Sequence, residues 1–581
     1  MKRVLRMACL WVAFTSILPR ILLGDPPKAQ RLLVPPMNKW EQNEYCERKQ
    51  IGKRTFYVST LYGWHASWYN VNDMKCLGLD KLLSSGDVNV SMYNPDRKHS
   101  PKVAEILQMQ LDRKVTFHSC EYHAFKKNSV PISDEAKKIV GDLWYGDSHP
   151  EYAYRLDFIL PAVRGENSSW LGNRESHRVD YYLKHAVPML EKELPFYKDK
   201  SHKWTRHDYY VLSRILQDVT FREVGLDNAL PWHMNGLGFY YLASQPGNRA
   251  VADKSAKHLS AAHCRGAMRQ FGGGKSWLCW LGYEPPRMLN YQYSLRRGGP
   301  GRQEEFGYPV SHSRLHIYLP YLAGVDYYKN EFFYNNLIDD VEQDGHKELS
   351  PLGQEFKKMM DLAKRHPDRG EAYTPVALMM DWEATLPGKD GRSYGRYLPF
   401  ENCDHMNEGL FYDLLYPELV EATGLNYFDT APLGDIFDVI KPNVPEKGVD
   451  TKALENYKVL FAMGGLRFDH KLFDKVKARV EKGATLVVNV EDMNAFFTPD
   501  FTGVKVTDQT RTVKTTRCLL DDKTFTDKEG YNLRLLTLDG AEPLYADDKG
   551  NPVVTRFKVG EGHVIVVAAE HMIVAKGGGT P

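Results

Sequence analysis

What this chain of 581 residues lacks narrows it before any motif does. It has no excess of either charge: 76 Lys and Arg stand against 74 Asp and Glu. A nucleic-acid binder normally carries a basic excess or stripe, so nucleic acid is not the expected partner. Cysteine is sparse, 8 in all, and no two are spaced C-x-x-C, which removes zinc-ribbon and thioredoxin-like readings. No low-complexity tract or repeat with a period of about 20–50 residues is present. Beyond the N-terminus no apolar run approaches the roughly 20 residues that a membrane span needs.

What is present begins with "MKRVLRMACLWVAFTSILPRILLGDPP", a basic start followed by an apolar run from Met7 to Leu18. This is the pattern of a secretory signal peptide, taken as residues 1–24, and it predicts a secreted or periplasmic protein with no membrane contact once the signal is removed. Pro19 and Arg20 interrupt the run, which argues against a stable span; a short membrane anchor is the alternative. Without Cys9, seven cysteines remain (Cys46, Cys76, Cys120, Cys264, Cys279, Cys403 and Cys518), an odd number that cannot all pair within the chain.

Residues 25–54 read as a linker and short helix. From Thr55 short β-rich runs end in polar or aromatic residues and are separated by helical stretches. The runs are "TFYVSTLYGWHASW", "VNVSMYNPD", "VTFHSCEYH", "DLWYGDSHPE", "NALPWHMNG", "SWLCWLGYEPP" and "VDYYKNEFF". The amphipathic "ADKSAKHLSAAHCRGAMRQF" links the fifth to the sixth. Strands alternating with helices, with polar chemistry after each strand, predict the α/β class and a (β/α)8 TIM-type barrel over 55–370. Seven strands are identified, and the eighth is expected between Trp64 and Lys81. From Tyr373 the texture changes to buried strands and strand–helix–strand units, predicting a flavodoxin-like α/β domain over 371–500. Residues 501–581 read as a small β-rich extension.

The run "LENYKVLFAMGGLRFDHKLFDKVKARVEKGATLVVNV" resembles the glutamine-amidotransferase-like domain that follows the barrel in a family of bacterial β-galactosidases and their distant relatives. The likeness covers about 130 residues. It implies glycoside hydrolysis in the barrel, an O-glycosyl substrate, and a homo-oligomer assembled through the second domain. A working amidotransferase would need a nucleophilic Cys at a strand–helix elbow; "FAMGGLRFD" has none, so ammonia chemistry is rejected. In the barrels this chain resembles, the acid follows strand four and the nucleophile follows strand seven. "DLWYGDSHPEYAYR" resembles their G-D-E strand end, but Ser148 stands where the glutamate would be, which puts the acid in doubt.

Glycoside hydrolysis uses two carboxyl groups, one to protonate the leaving oxygen and one to attack the anomeric carbon or activate water. By strand counting, the acid is Asp147, with Glu151 second, and the nucleophile or base is Glu331, with Glu284 the third strand-end carboxylate. Asp147 as a helix N-cap and Lys329–Glu331 as a rim ion pair are the structural alternatives. Asn330 would bond a sugar hydroxyl. Aromatic and imidazole groups recur at the same strand ends: Trp64 and His65, His118, Trp144 and Tyr145, Trp232 and His233, and Trp280. Rings that stack on sugar faces beside groups that bond hydroxyls predict a carbohydrate cleft. The basic loop "RRGGPGR" would suit an acidic or sulfated polysaccharide. This reading needs no cofactor and no metal. Two others stay open: a catalytically inactive carbohydrate-binding protein, and a metal-dependent hydrolase using the His clusters.

Overall fold

The structure, a computed structural model, describes residues 186–212, 351–366, 372–384, 398–408, 436–443 and 451–569 almost throughout, with the strands and helix positions named below. The chain divides into two compact units, Met1–Gln30 with Ala262–Gly272 and Ala372–Pro581, and Arg31–Ala261 with Gly273–Glu371.

The second of these is built on a four-stranded parallel sheet of β1 (Tyr57–Tyr62), β2 (Val88–Met92), β3 (Leu278–Leu281) and β4 (Tyr327–Asn330). β-Branched and aromatic residues in "YVSTLY", "LCWL" and "YYKN" suit a pleated surface. The order is β2-β1-β4-β3, so the first strand lies between the second and the last. Val58 is the direct partner of Val88, and the expected eighth strand between Trp64 and Lys81 lies outside the described residues. Among the described residues the unit also holds α1 (Pro351–Arg365), whose buried Glu355 pairs with Lys358 at 2.8 Å. A capping box starts the turn at Thr205: the Asp208 carboxylate accepts from the Thr205 N–H at 2.7 Å, and the Thr205 hydroxyl accepts from the Asp208 N–H.

The other unit carries a nine-stranded mixed sheet. Its strands are β5 (Val376–Met379), β6 (Phe437–Ile440), β7 (Val459–Ala462), β8 (Thr485–Asn489), β9 (Val504–Cys518), β10 (Thr524–Leu538), β11 (Glu542–Asp547), β12 (Pro552–Val559) and β13 (Gly562–Val567). The order is β6-β5-β7-β8-β13-β12-β11-β9-β10. The first five are mutually parallel and, numbered along the chain, lie 2-1-3-4-5. β5, β6 and β7 are buried at every position, as strands covered on both faces must be. The remaining strands are antiparallel and continue the same sheet, so 371–500 and 501–581 share one core. Helix α2 (Asn402–Glu408) follows β5. Helix α3 (His470–Glu481) starts where the Asp469 carboxylate accepts the Leu472 N–H at 2.7 Å, and it buries Leu472, Phe473, Val476 and Val480. Among the described residues no helix is long and apolar enough to cross a membrane.

β6 is an edge strand, and its outer edge is closed from a distant part of the chain. Ala262, Arg265, Gly266, Arg269 and Gln270 are helical and buried, with the spacing of one helix face. Arg265 Nη2 donates to the Phe437 carbonyl at 2.9 Å, and the Lys441 N–H donates to Gln270 Oε1 at 2.8 Å. Between them Gly266 lies so close that a Cβ would collide with the Val439 carbonyl. Residues 437, 439 and 441 are the positions whose backbone groups face away from β5, and an uncovered edge of this kind invites pairing with another chain. The stretch read as an amphipathic connector thus buries a face made of Arg, Gln and Gly, because an open strand edge needs donors, acceptors and close approach.

Candidate functional site

Two of the predicted barrel residues lie on described strands. Trp280 is next to last in β3 and Asn330 ends β4. The register sets Trp280 beside Lys329, with Ser59 and Asn89 in the same row, and Asn330 beside Leu281, with Thr60 and Val90 in the next. Because all four strands run parallel, Tyr62, Met92, Leu281 and Asn330 end at the same edge. Asp147, Glu151, Glu284, Glu331, Trp64, His65, His118, Trp144, Tyr145, Trp232 and His233 lie outside the described residues.

A second constellation, missed at the sequence level, sits at the C-terminal ends of the parallel strands in the other unit. Here β5 and β7 are the neighbours from which the strand order runs in opposite directions, the place where open α/β sheets bind ligands. After β5 come Asp381 and Glu383, both buried. The Asp381 carboxylate accepts from Arg467 Nη2 at 2.8 Å and Nε at 3.0 Å, from the Arg467 N–H at 3.1 Å, and from Asn443 Nδ2 at 2.7 Å. Glu383 lies 3.2 Å from the same guanidinium, which is also 5.2 Å from the Trp382 ring centroid. The signal was legible: "MMDWE" ends a buried strand in two carboxylates, the pattern sought only in the barrel.

Two buried groups beside this cluster have displaced ionisation. Burial pushes the Lys441 ammonium down to about 7, with Asp381 opposing, and its Nζ donates to the Ala384 carbonyl at 2.8 Å. Burial raises the Asp492 carboxyl well above its ordinary range; the Gly465 N–H, donating at 2.7 Å, works against this, while Glu491 and Asp381 add to it. Its Oδ2 and both amide atoms of buried Asn407 on α2 have no hydrogen-bond partner. The turn after β7 is Gly464–Gly465, with φ of 80° at Gly465. Side chains at both positions would strike α2, at Met406 and Cys403. Cys403 therefore packs against the turn from the start of a helix and is not its elbow residue. Among the described residues no three His, Cys, Asp or Glu side chains group as metal ligands would.

No protein-family model matches the sequence, and no curated protein matches it. The structure is similar to a β-galactosidase from Bacillus circulans sp. alkalophilus, at 12% identity and a TM-score of 0.46, over 90% of this chain and 87% of that one. It is also similar to an exo-β-1,4-mannosidase from Opitutaceae bacterium strain TAV5, at 12% identity and a TM-score of 0.43, over 91% and 94% of the two chains. An α-L-fucosidase isoenzyme from Paenibacillus thiaminolyticus has 12% identity and a TM-score of 0.43, over 89% of this chain and 80% of its own.

Proposed function

We propose that this protein is an exported glycoside hydrolase whose reaction site lies at the C-terminal ends of a (β/α)8 barrel containing β1 to β4. The observation that carries this reading is the strand order β2-β1-β4-β3. In an open doubly wound sheet, strands are added outward from the first in chain order. Here the first strand has the second on one side and the last on the other, followed by the one before last, which is the order around a closing barrel. The 2-1-3-4-5 order of the other parallel sheet likewise supports the flavodoxin-like reading of the second domain.

The same order supports a different nucleophile from the one reached by strand counting. Both neighbours of β1 are accounted for, and β3 adjoins β4 directly, so any further barrel strand belongs between residues 92 and 278. In an eight-stranded barrel β4 is then strand eight and β3 strand seven. The carboxylate following strand seven is Glu284, three residues beyond Leu281, and Glu331 follows strand eight. Glu284 takes the role of nucleophile or base, and Glu331 with Asn330 takes the sugar hydroxyls. Asp147, with Glu151 second, protonates the leaving oxygen. A carboxyl separation of about 5 Å would give retention, and about 6.5–9.5 Å inversion.

Ser148 at the expected acid position favours one rival, a carbohydrate-binding protein without turnover. Reducing-end release on neutral, sulfated and uronic polysaccharides, with and without chelator, separates the readings. The hydrolase releases ends from at least one class, is insensitive to chelator, and loses activity about 10²–10⁴-fold in Asp147→Asn. Saturable binding with no release from any polymer bound would support the rival.

A further inference from the structure

We propose that the surface loop of residues 194–207, in the same compact unit as β1 to β4, binds an anionic polysaccharide, one whose sugars carry sulfate or carboxylate groups. The identity of the polymer rests on the carbohydrate reading above; the charge of the site rests on the loop itself. Between Phe196 and His207 the chain holds Lys198, Lys200, Lys203, Arg206 and two His against a single acid, Asp199. In a chain with 76 basic and 74 acidic side chains this is a local excess, not a consequence of composition. Lys198, Lys200, Lys203 and His207 are exposed. The carboxylates close by do not cancel them. Asp199 turns back into the loop, where its Oδ1 accepts from the Ser201 N–H at 2.8 Å and from the Ser201 hydroxyl at 2.7 Å. Asp208 is buried and accepts from the Thr205 N–H, with His202 Nε2 at 3.2 Å. Glu191 reaches Lys198 at 3.9 Å, but both side chains are exposed, and water weakens such a pair.

The loop is held in one shape. Three successive turns are closed by the Tyr197 N–H to the Leu194 carbonyl at 2.8 Å, the Asp199 N–H to the Phe196 carbonyl at 2.8 Å and the His202 N–H to the Asp199 carbonyl at 3.3 Å. The rings of Phe196 and His202 lie 3.7 Å apart, Trp204 stands edge-on to Phe196 at 6.1 Å, and Tyr209 packs against Trp204 at 5.2 Å. A loop ordered before binding loses little further freedom on binding. Phe196, His202 and Trp204 are each partly exposed, so ring surface alternates with cations. A polymer of acidic sugars offers the matching pair: C–H faces for the rings and anionic groups for the cations. The sequence of the Arg296–Arg302 loop suits the same class of polymer, and the 194–207 loop reaches it by an independent observation.

The test is calorimetric titration of the full-length protein with dextran sulfate, polygalacturonate, unsubstituted dextran and double-stranded DNA at low and high salt. The expected result is saturable binding of an anionic polysaccharide, none of dextran, and an affinity that falls as salt rises. Replacing Lys198, Lys200 and Lys203 together by Gln should weaken that binding about tenfold, the sum of three exposed charge pairs, without shifting the thermal midpoint. The same change at Lys471, Lys477 and Lys482, exposed lysines of the other unit, should leave the affinity at its wild-type value. Failure of both anionic polysaccharides to bind, an unchanged affinity in the loop variant, or an equal loss in the control variant would overturn the site. DNA bound as tightly as the polysaccharides would overturn the choice of ligand. Reducing-end release, followed on the same samples, keeps the two readings apart. Binding without release from any polymer supports this site and counts against the hydrolase, whereas release without loop-dependent binding sinks this site alone.

Discussion

Asp438 ties four buried neighbours together. It accepts from two guanidinium groups and two hydroxyls in a fully buried position. Asp438→Asn keeps the shape but leaves two buried cations facing a neutral amide, and breaking a buried pair in this way costs about 3–5 kcal/mol. Urea unfolding should show a loss of that size; a change below about 1 kcal/mol would refute the role. Two further residues predict opposite pH dependences. The folded state binds fewer protons at Lys441 than the unfolded state between about 7 and its ordinary 10.5, so stability rises with pH across that window and falls as pH drops through it. Lys441→Met should flatten that slope in unfolding free energies measured from pH 6 to 10. Asp492, with its carboxyl raised, binds more protons folded than unfolded above its ordinary range near 4, so its contribution weakens as pH rises. Asp492→Asn should be increasingly stabilising relative to wild type from about pH 4 upward, with no such gain below it.

At the scale of elements, the helix segment on the β6 edge explains why parts of the fold were legible and others were not. α3 was visible because Leu472, Phe473, Val476 and Val480 follow helical spacing between Asp469 and Gly483, and β8 because "TLVVN" is a buried β-branched run. Both signals are local. The stretch holding Arg265 and Gln270 was read only as an amphipathic connector, because sequence alone does not reveal that an edge strand some 170 residues later needs those donors. Strand pairing was not legible for the same reason: Val58 with Val88 and Thr60 with Asn330 join residues remote in sequence. Gly266→Leu tests the edge closure. It should force the helix off β6, lower stability, and speed amide hydrogen exchange in β6 while α3 stays protected; unchanged exchange in β6 would contradict the close packing. Asp469→Ala should cost about 1 kcal/mol through the lost cap on α3.

For the molecule as a whole, the proposed function rests on which strands end together. Composition and the rhythm of β-rich runs were enough to predict α/β architecture, and the resemblance supplied glycoside chemistry. Neither could choose between Glu331 and Glu284, because that choice depends on the ordinal place of a strand around a closed sheet. The pairing of β1 with β4 is what favours Glu284 in the proposal, since in a closed barrel β3 would be the penultimate strand and β4 the last. The most direct test is kcat for Glu284→Gln and Glu331→Gln, side by side on the best substrate from the polysaccharide panel, with folding of each variant verified. Glu284→Gln should lower kcat by about 10²–10⁴-fold, the range for loss of a catalytic acid or base, while Glu331→Gln acts more on KM. A full kcat in Glu284→Gln with the loss in Glu331→Gln would contradict the strand assignment and return the nucleophile to β4.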